Sequence, residues 1–186
     1  MSSTAPGLSQ TLKNLQAAFE GESNAAVRYA AFAAKAQQEG YARVATMFRA
    51  TSRAEQIHAA SHAKVITKMG GAPEAKIAEP VVGTTAENLA EAKAGEEYER
   101  DVMYPGFIRE ADTSGAASAI HTFRRASEAE AVHAALYGYA LENLEAQRAA
   151  AVFYVCPVCG EVTDDVKMRS CPICGASSEK FEIFHS

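Results

Sequence analysis

Ala54-Glu55-Gln56-Ile57-His58 and Glu130-Ala131-Val132-His133 carry the same Glu-x-x-His spacing 75 residues apart, each inside a long stretch of helical periodicity. In an α-helix, residues i and i+3 lie on one face, so each pair presents a carboxylate and an imidazole to one point in space. Two such points facing each other make a site for two metal ions.

Outward from these pairs, four stretches near 9–39, 41–69, 85–112 and 116–150 are rich in Ala, Leu, Glu, Gln and Arg, residues that lose little entropy in a helix. Gly40 separates the first two, and Gly70-Gly71 with Pro73 closes the second. Thr84-Thr85-Ala86-Glu87 has the spacing of a capping box, and Thr113-Ser114-Gly115 precedes the fourth helix. Pro105, inside the third pattern, predicts a kink. The connections run short, long (70–84), short, which is the order of two antiparallel hairpins joined by one crossover, a ferritin-like four-helix bundle. The hairpins also repeat each other, with Glu20 and Glu96 76 residues apart on their first helices.

A helical wheel tests whether the acids point inward. Glu55 and His58 share a stripe with Val44, Met47, Phe48, Thr51, Ile66 and Met69, and Glu130 and His133 share one with Phe123, Ala126, Tyr137, Leu141 and Leu144. Glu96 and Glu99 align with Leu89, Ala92, Met103 and Phe107. On the first helix, Glu20 and Glu22 flank the Leu12, Leu15, Phe19, Ala26 and Ala30 stripe on either side, so periodicity leaves that choice open. Any one Glu suits a solvated face, but five Glu and two His within apolar stripes cost several kcal/mol per unpaired buried carboxylate. Two divalent cations remove that cost. Oxygen and nitrogen ligands without thiolate suit iron or manganese. His62, on the same stripe as His58, reads as a histidine standing behind the ligands or satisfied in the core rather than as a ligand, and neither His121 nor His185 is assigned a role.

The chain has 186 residues and a formal net charge of −5, with all four cysteines after residue 155. Cys156-Pro157-Val158-Cys159-Gly160 and Cys171-Pro172-Ile173-Cys174-Gly175 are two copies of one knuckle, and four thiolates make a tetrahedral metal site for iron or zinc. The expected organisation is a bundle over 1–150 and a small four-cysteine metal domain over 151–186. No basic block recommends nucleic acid, and no apolar run is long enough to cross a membrane. The opening residues 1–7 lack the features of a signal peptide. A cytoplasmic protein is expected, where thiols stay reduced and Cys-x-x-Cys pairs bind metal.

With both sites placed, the chain resembles the rubrerythrin family over nearly its full length. The matching strings are Ala18-Phe19-Glu20-Gly21-Glu22-Ser23 followed by Arg28-Tyr29, Ala54–His58, Gly95-Glu96-Glu97-Tyr98-Glu99, Met103-Tyr104-Pro105, Glu130–His133, and the knuckles with Lys180-Phe181-Glu182 after them. The resemblance implies seven diiron ligands, Glu20, Glu55, His58, Glu96, Glu99, Glu130 and His133, and selects Glu20 over Glu22. It implies that Glu55 and Glu130 bridge the irons, that Tyr29 and Tyr104 are tyrosines standing behind the ligands, and that Cys156, Cys159, Cys171 and Cys174 hold one rubredoxin-type iron.

The activity it implies is a peroxidase reducing hydrogen peroxide to water in oxidative stress defence, with electrons from a reductase or rubredoxin entering through the four-cysteine iron. It also suggests that one iron exchanges His58 for Glu99 on oxidation. The other reading is a ferritin-like iron-storage or ferroxidase protein with a structural zinc ribbon as its tail. If the fourth helix runs to Ala150, about 30 Å separates Glu130 from its end at 1.5 Å per residue. Unless the tail folds back, that distance predicts a head-to-tail homodimer in which the cysteine module of one subunit faces the bundle of the other.

Overall fold

The computed structural model describes residues 6–165 and 167–186; residues 1–5, which hold most of the stretch read as lacking a signal peptide, lie outside the described residues. Five α-helices lead the fold: α1 (Pro6–Gln38), α2 (Ala42–Lys68), α3 (Thr85–Tyr98), α4 (Tyr104–Thr113) and α5 (Ala117–Glu142). α1 packs along α2, and α3 and α4 pack along α5, with the extended segment between α2 and α3 crossing from one hairpin to the other. The capping box forms at Thr84: its hydroxyl accepts the Glu87 N–H at 3.3 Å, and the Glu87 carboxylate accepts the Thr84 N–H at 2.8 Å. Glu39 reaches over from the end of α1 to accept the Thr85 N–H at 2.9 Å. Bonding to Thr85 holds its carboxyl down at about 2.

Pro105 leaves its mark one turn upstream. Residues Glu99–Met103 form a π-helical turn, in which the Tyr104 N–H donates to the Glu99 carbonyl. A proline ring clashes with the carbonyl four residues before it, and the wider turn carries the chain past that obstacle. Turns of this kind cluster at functional sites, and this one holds Glu99.

The fourth expected helix stops short of 150. Asn143 leaves helical geometry at φ −122°, ψ 38°, and its side-chain amide donates to the Tyr139 carbonyl at 2.9 Å. A 3-10 turn (Leu144–Arg148) then reverses the chain into β1 (Val152–Val155), which pairs antiparallel with both β2 (Val162–Thr163) and β3 (Glu182–His185) in the order β2-β1-β3. This small sheet lies on the bundle. Phe153, Val155 and Val162 are buried in the same cluster as Phe32, Phe48 and Ala54, and Arg53 on α2 clasps Glu182 on β3 through two bonds of 2.7 and 2.8 Å.

Candidate functional site

On α1 one row of buried positions runs Thr11, Leu15, Ala18, Glu22, Ala25, Tyr29, Phe32, Ala36, three or four residues apart throughout, with Asn14, Ala26 and Ala33 buried beside it. That row is the helix's true inner face, and Glu22 lies on it at 0% exposure. Glu20 is only half-buried, beside the row, and belongs to neither of the two groups of candidate ligands in the bundle. The structure thus brings Glu22, and not the expected Glu20, to the other candidate ligands. The sequence held the signal: Tyr29 stands two turns after Glu22 on the same face, whereas the stripe drawn through Phe19 and Ala30 drifts off it.

Those two groups are Glu22, Glu55, His58 and Glu130, and Glu55, Glu96, Glu130 and His133; within each, the ligand atoms all lie within 4.8 Å of one another. Glu55 and Glu130 belong to both. His58 Nδ1 lies 2.9 Å from Glu55 Oε2 and 2.9 Å from Glu130 Oε1, while His133 Nδ1 lies 3.2 Å from the other oxygen of Glu55 and 2.9 Å from the other oxygen of Glu130. Each carboxylate thus spans both imidazoles, which is the placement bridging requires. The two rings stack with centroids 6.0 Å apart. Glu99 is in neither group but faces the same chamber, and its charge, after burial itself, is the next largest influence pushing Glu22 up.

The donor set fits a pair of cations. Glu22 Oε2, Glu55 Oε1, both oxygens of Glu130 and His133 Nδ1 are buried without a hydrogen-bond partner, an arrangement that costs free energy unless something else occupies the space. Burial, then repulsion from neighbouring carboxylates, holds Glu22, Glu96 and Glu99 well above the carboxylate range. Burial works against charge on His133 as well, yet Glu130 and Glu55 push it up to about 10. Shifts in this direction mark a chamber whose charges favour added positive charge. On the far side of each ring, His58 Nε2 is 2.9 Å from the Cys159 carbonyl and His133 Nε2 is 3.1 Å from the Gly160 carbonyl. A carbonyl can only accept, so each Nε2 keeps its proton, and Nδ1 is the nitrogen that would give up a proton to bind a metal.

Tyrosines hold the outer carboxylates. Tyr29 donates to Glu96 Oε1 at 2.8 Å, and Tyr104 donates to Glu22 Oε1. His62, expected in the core or behind the ligands, is 3.1 Å from the Tyr104 hydroxyl through Nε2 and 3.1 Å from Thr122 Oγ1 through Nδ1. Burial, then the charge of His58, pulls it down to about 3, so it is a neutral link between the two hydroxyls.

In the tail the two knuckles fold alike. The Gly160 N–H donates to the Cys156 carbonyl at 3.0 Å and the Gly175 N–H to the Cys171 carbonyl at 2.9 Å. Sulfurs of Cys156 and Cys174 are 3.5 Å apart, and those of Cys159 and Cys171 3.4 Å. A tetrahedral site with metal–sulfur bonds of ~2.3 Å has sulfurs roughly 3.8 Å apart, so only a slight expansion admits an ion. All four cysteines are free of disulfides. They share protons unevenly: the bond with Cys159 draws Cys156 down to about 5, and burial pushes Cys171 up to about 11.

The model of the rubrerythrin family matches residues 13–141, and that of the rubrerythrin rubredoxin-like domain matches residues 154–182. The chain belongs to the rubrerythrin family. It is 38% identical to nigerythrin of Nitratidesulfovibrio vulgaris over 98% of this chain and 90% of that protein. Rubrerythrin-2 of Clostridium acetobutylicum is 34% identical over 91% of this chain and 94% of its own length. The structure of nigerythrin in its fully reduced, all-ferrous state superposes with a TM-score of 0.87 at 35% identity, covering 98% of this chain and 88% of that one. A rubrerythrin combines a ferritin-like diiron site of carboxylates and histidines with a four-cysteine rubredoxin-like iron site, and the residues here supply both.

The crossed, head-to-tail path loses its premise. Helix α5 ends at Glu142 and the tail folds back, so one chain brings its own knuckle to its own ligand histidines. Among the described residues, no helix is long and apolar enough to cross a membrane.

Proposed function

We propose that this rubrerythrin is an oxidoreductase of the peroxidase type that reduces hydrogen peroxide to two waters, in defence against oxidative stress, consuming two electrons and two protons per turnover. The observation that carries the reading is the pair of hydrogen bonds from His58 and His133 to the consecutive carbonyls of Cys159 and Gly160. They join the ligands of one metal centre to the backbone of the other. When bound, the iron pair supplies two electrons to the substrate, and the four-cysteine iron returns them singly.

The protein's own groups do the rest. Glu55 and Glu130, shared by both groups of candidate ligands, would hold the two cations, with Glu22 and Glu96 as the further carboxylates under the restraint of Tyr104 and Tyr29. Protons must reach a chamber closed to bulk water. The Tyr104 hydroxyl bonds directly to Glu22, and His62 and Thr122 stand behind it in line. Glu99 comes from the π turn, on the side of Glu22, and would be the ligand to take over from His58 on a ferric ion, since a harder ferric ion prefers carboxylate to imidazole. A reductase or rubredoxin reloads the tail, in a reducing cytoplasm where the four thiols stay on the metal.

The test is anaerobic reduction of the iron-loaded protein followed by peroxide, with the visible bands of the ferric-thiolate centre as readout. One peroxide per two electrons, with the bands restored, is the expected result. A tail that stays colourless through the cycle, with many irons accumulating per chain, overturns the reading in favour of storage.

A further inference from the structure

A cleft of about 670 Å³ opens between α2, α5 and the first cysteine knuckle. Lys64, Lys68 and Arg125 line it, and its lining includes no carboxylate, in a chain whose net charge is −5. Arg53 lines it too but is already held by Glu182. Lys68 donates to the Ser118 hydroxyl at 3.1 Å, and among the described residues no ion pair involves Lys64, Lys68 or Arg125. Three cations gathered without a counter-charge repel one another, so their grouping costs the fold rather than stabilising it. They create a local positive field on an acidic protein.

The wall of the cleft says what that field is for. It is formed by Pro157, Val158 and Cys159, so one of the four thiolate ligands borders the cleft, and Val158 beside it is 40% exposed. An electron donor seated here meets the edge of the four-cysteine site. A nicotinamide dinucleotide matches the charge but gives up a hydride, an electron pair, whereas a four-thiolate iron takes one electron.

We infer that the cleft is the docking site for an acidic surface of a small one-electron carrier protein, which delivers its electron across the Pro157–Cys159 edge. The inference rests on the reading of the tail as the point of electron entry. In the step, the carrier is oxidised by one electron and the tail's iron goes from ferric to ferrous; no bond forms and no proton moves. Complementary charge at such a surface acts chiefly on the rate of encounter.

The experiment follows bleaching of the ferric-thiolate bands of the iron-loaded protein, anaerobically in a stopped-flow instrument, with two donors: a reduced rubredoxin of net negative charge and the methyl viologen radical cation. In the variant combining Lys64→Glu, Lys68→Glu and Arg125→Glu, the bimolecular rate with rubredoxin falls roughly ten- to a hundredfold at low salt, and the gap narrows as salt screens the charges. Viologen reduces the variant at least as fast as the wild type, which also shows that the variant is folded. Equal rubredoxin rates for variant and wild type, with viologen active on both, overturn the docking site alone. Failure of both donors to bleach the wild type removes electron entry through the tail, and the docking site with it.

Discussion

In the bundle, the candidate ligands come from four helices and span residues 22–133, whereas in the tail they come from two turns within residues 156–174. The support behind them differs as much. The bundle site lies between two clusters, one around Tyr29, Phe32, Phe48 and Tyr137, the other around Leu15, Tyr104 and Phe123. Behind the cysteines, the buried cluster is Cys156, Cys159, Cys171 and Phe181, while Phe153, Val155 and Val162 of the tail pack on the bundle. A metal therefore relieves strain in a fold that stands without it in the bundle, and supplies the core in the tail.

Removing metal breaks this symmetry and has the largest expected effect. Exhaustive chelation under reducing conditions should unfold the knuckles while the helical circular dichroism signal survives, with hydrogen exchange locating the loss at residues 156–181. Retention of both regions, or loss of both, contradicts the comparison. The metal-free bundle should also show the sign of its frustration. Glu22, Glu96 and Glu99 are raised in the folded state, so their contribution is full below the unfolded carboxylate value of about 4.3 and is lost as pH rises through their folded values. His133, raised to about 10, acts in the same direction above about 6.5. Glu55 is lowered, because its bonds and attraction to His58 and His133 outweigh burial, and acts only in strong acid. The melting temperature of the metal-free bundle should therefore fall from pH 6 to pH 8. In the loaded protein the fall should vanish, since metal binding favours deprotonated ligands.

The next effect distinguishes neighbours on α1. Glu22→Gln removes an anionic ligand from the group shared with His58 and should weaken metal binding at that position by at least ~10–100-fold, the range seen even for residues that only support ligands. Glu20→Gln should change it less than about twofold. Metal titration with spectroscopic or mass-spectrometric readout decides between them, and the reverse order would restore Glu20.

These two regions were not equally legible from sequence. Local rules carried the tail, where two Cys-Pro-x-Cys-Gly strings specify their own turns. In the bundle, α2 and α5 were legible because Glu and His three apart carry aromatic and branched neighbours on the same stripe. On α1 the inner-face neighbours of Glu22 are Ala18 and Ala25, which hardly tell inside from outside, and the telling residues, Leu15, Tyr29 and Phe32, stand two or three turns away, so Glu20 is preferred by resemblance rather than by phase. Where α5 ends was hidden for a different reason. Residues 143–150 are rich in helix formers, and their departure from the helix follows from what the sheet gains by packing Phe153 and Val155 on α2, a tertiary preference that local propensity does not register.

The contact between the two regions gives the smallest and most selective prediction. Gly160 and Gly175 occupy the same place in the two knuckles, with φ of 77° and 74°. A Cβ on Gly175 would meet nothing within 4 Å, whereas one on Gly160 would lie 2.3 Å from His58 Nε2 and 3.2 Å from the Ala54 carbonyl. His58 cannot swing aside without breaking its 2.9 Å contacts to Glu55 and Glu130, so the knuckle has to lift. Both Gly→Ala substitutions carry the same backbone cost, roughly 1–2 kcal/mol for a left-handed residue. Only Gly160→Ala adds overpacking of about 1–3 kcal/mol, and it does so where His58 and His133 bond to the knuckle. Gly175→Ala should lower the stability of the tail and leave the return of the ferric-thiolate bands after peroxide at its wild-type rate. Gly160→Ala should slow that return on the order of tenfold, the equivalent of about 1.4 kcal/mol within the overpacking range. Equal rates in the two variants would mean that electrons do not pass where the histidines touch the knuckle.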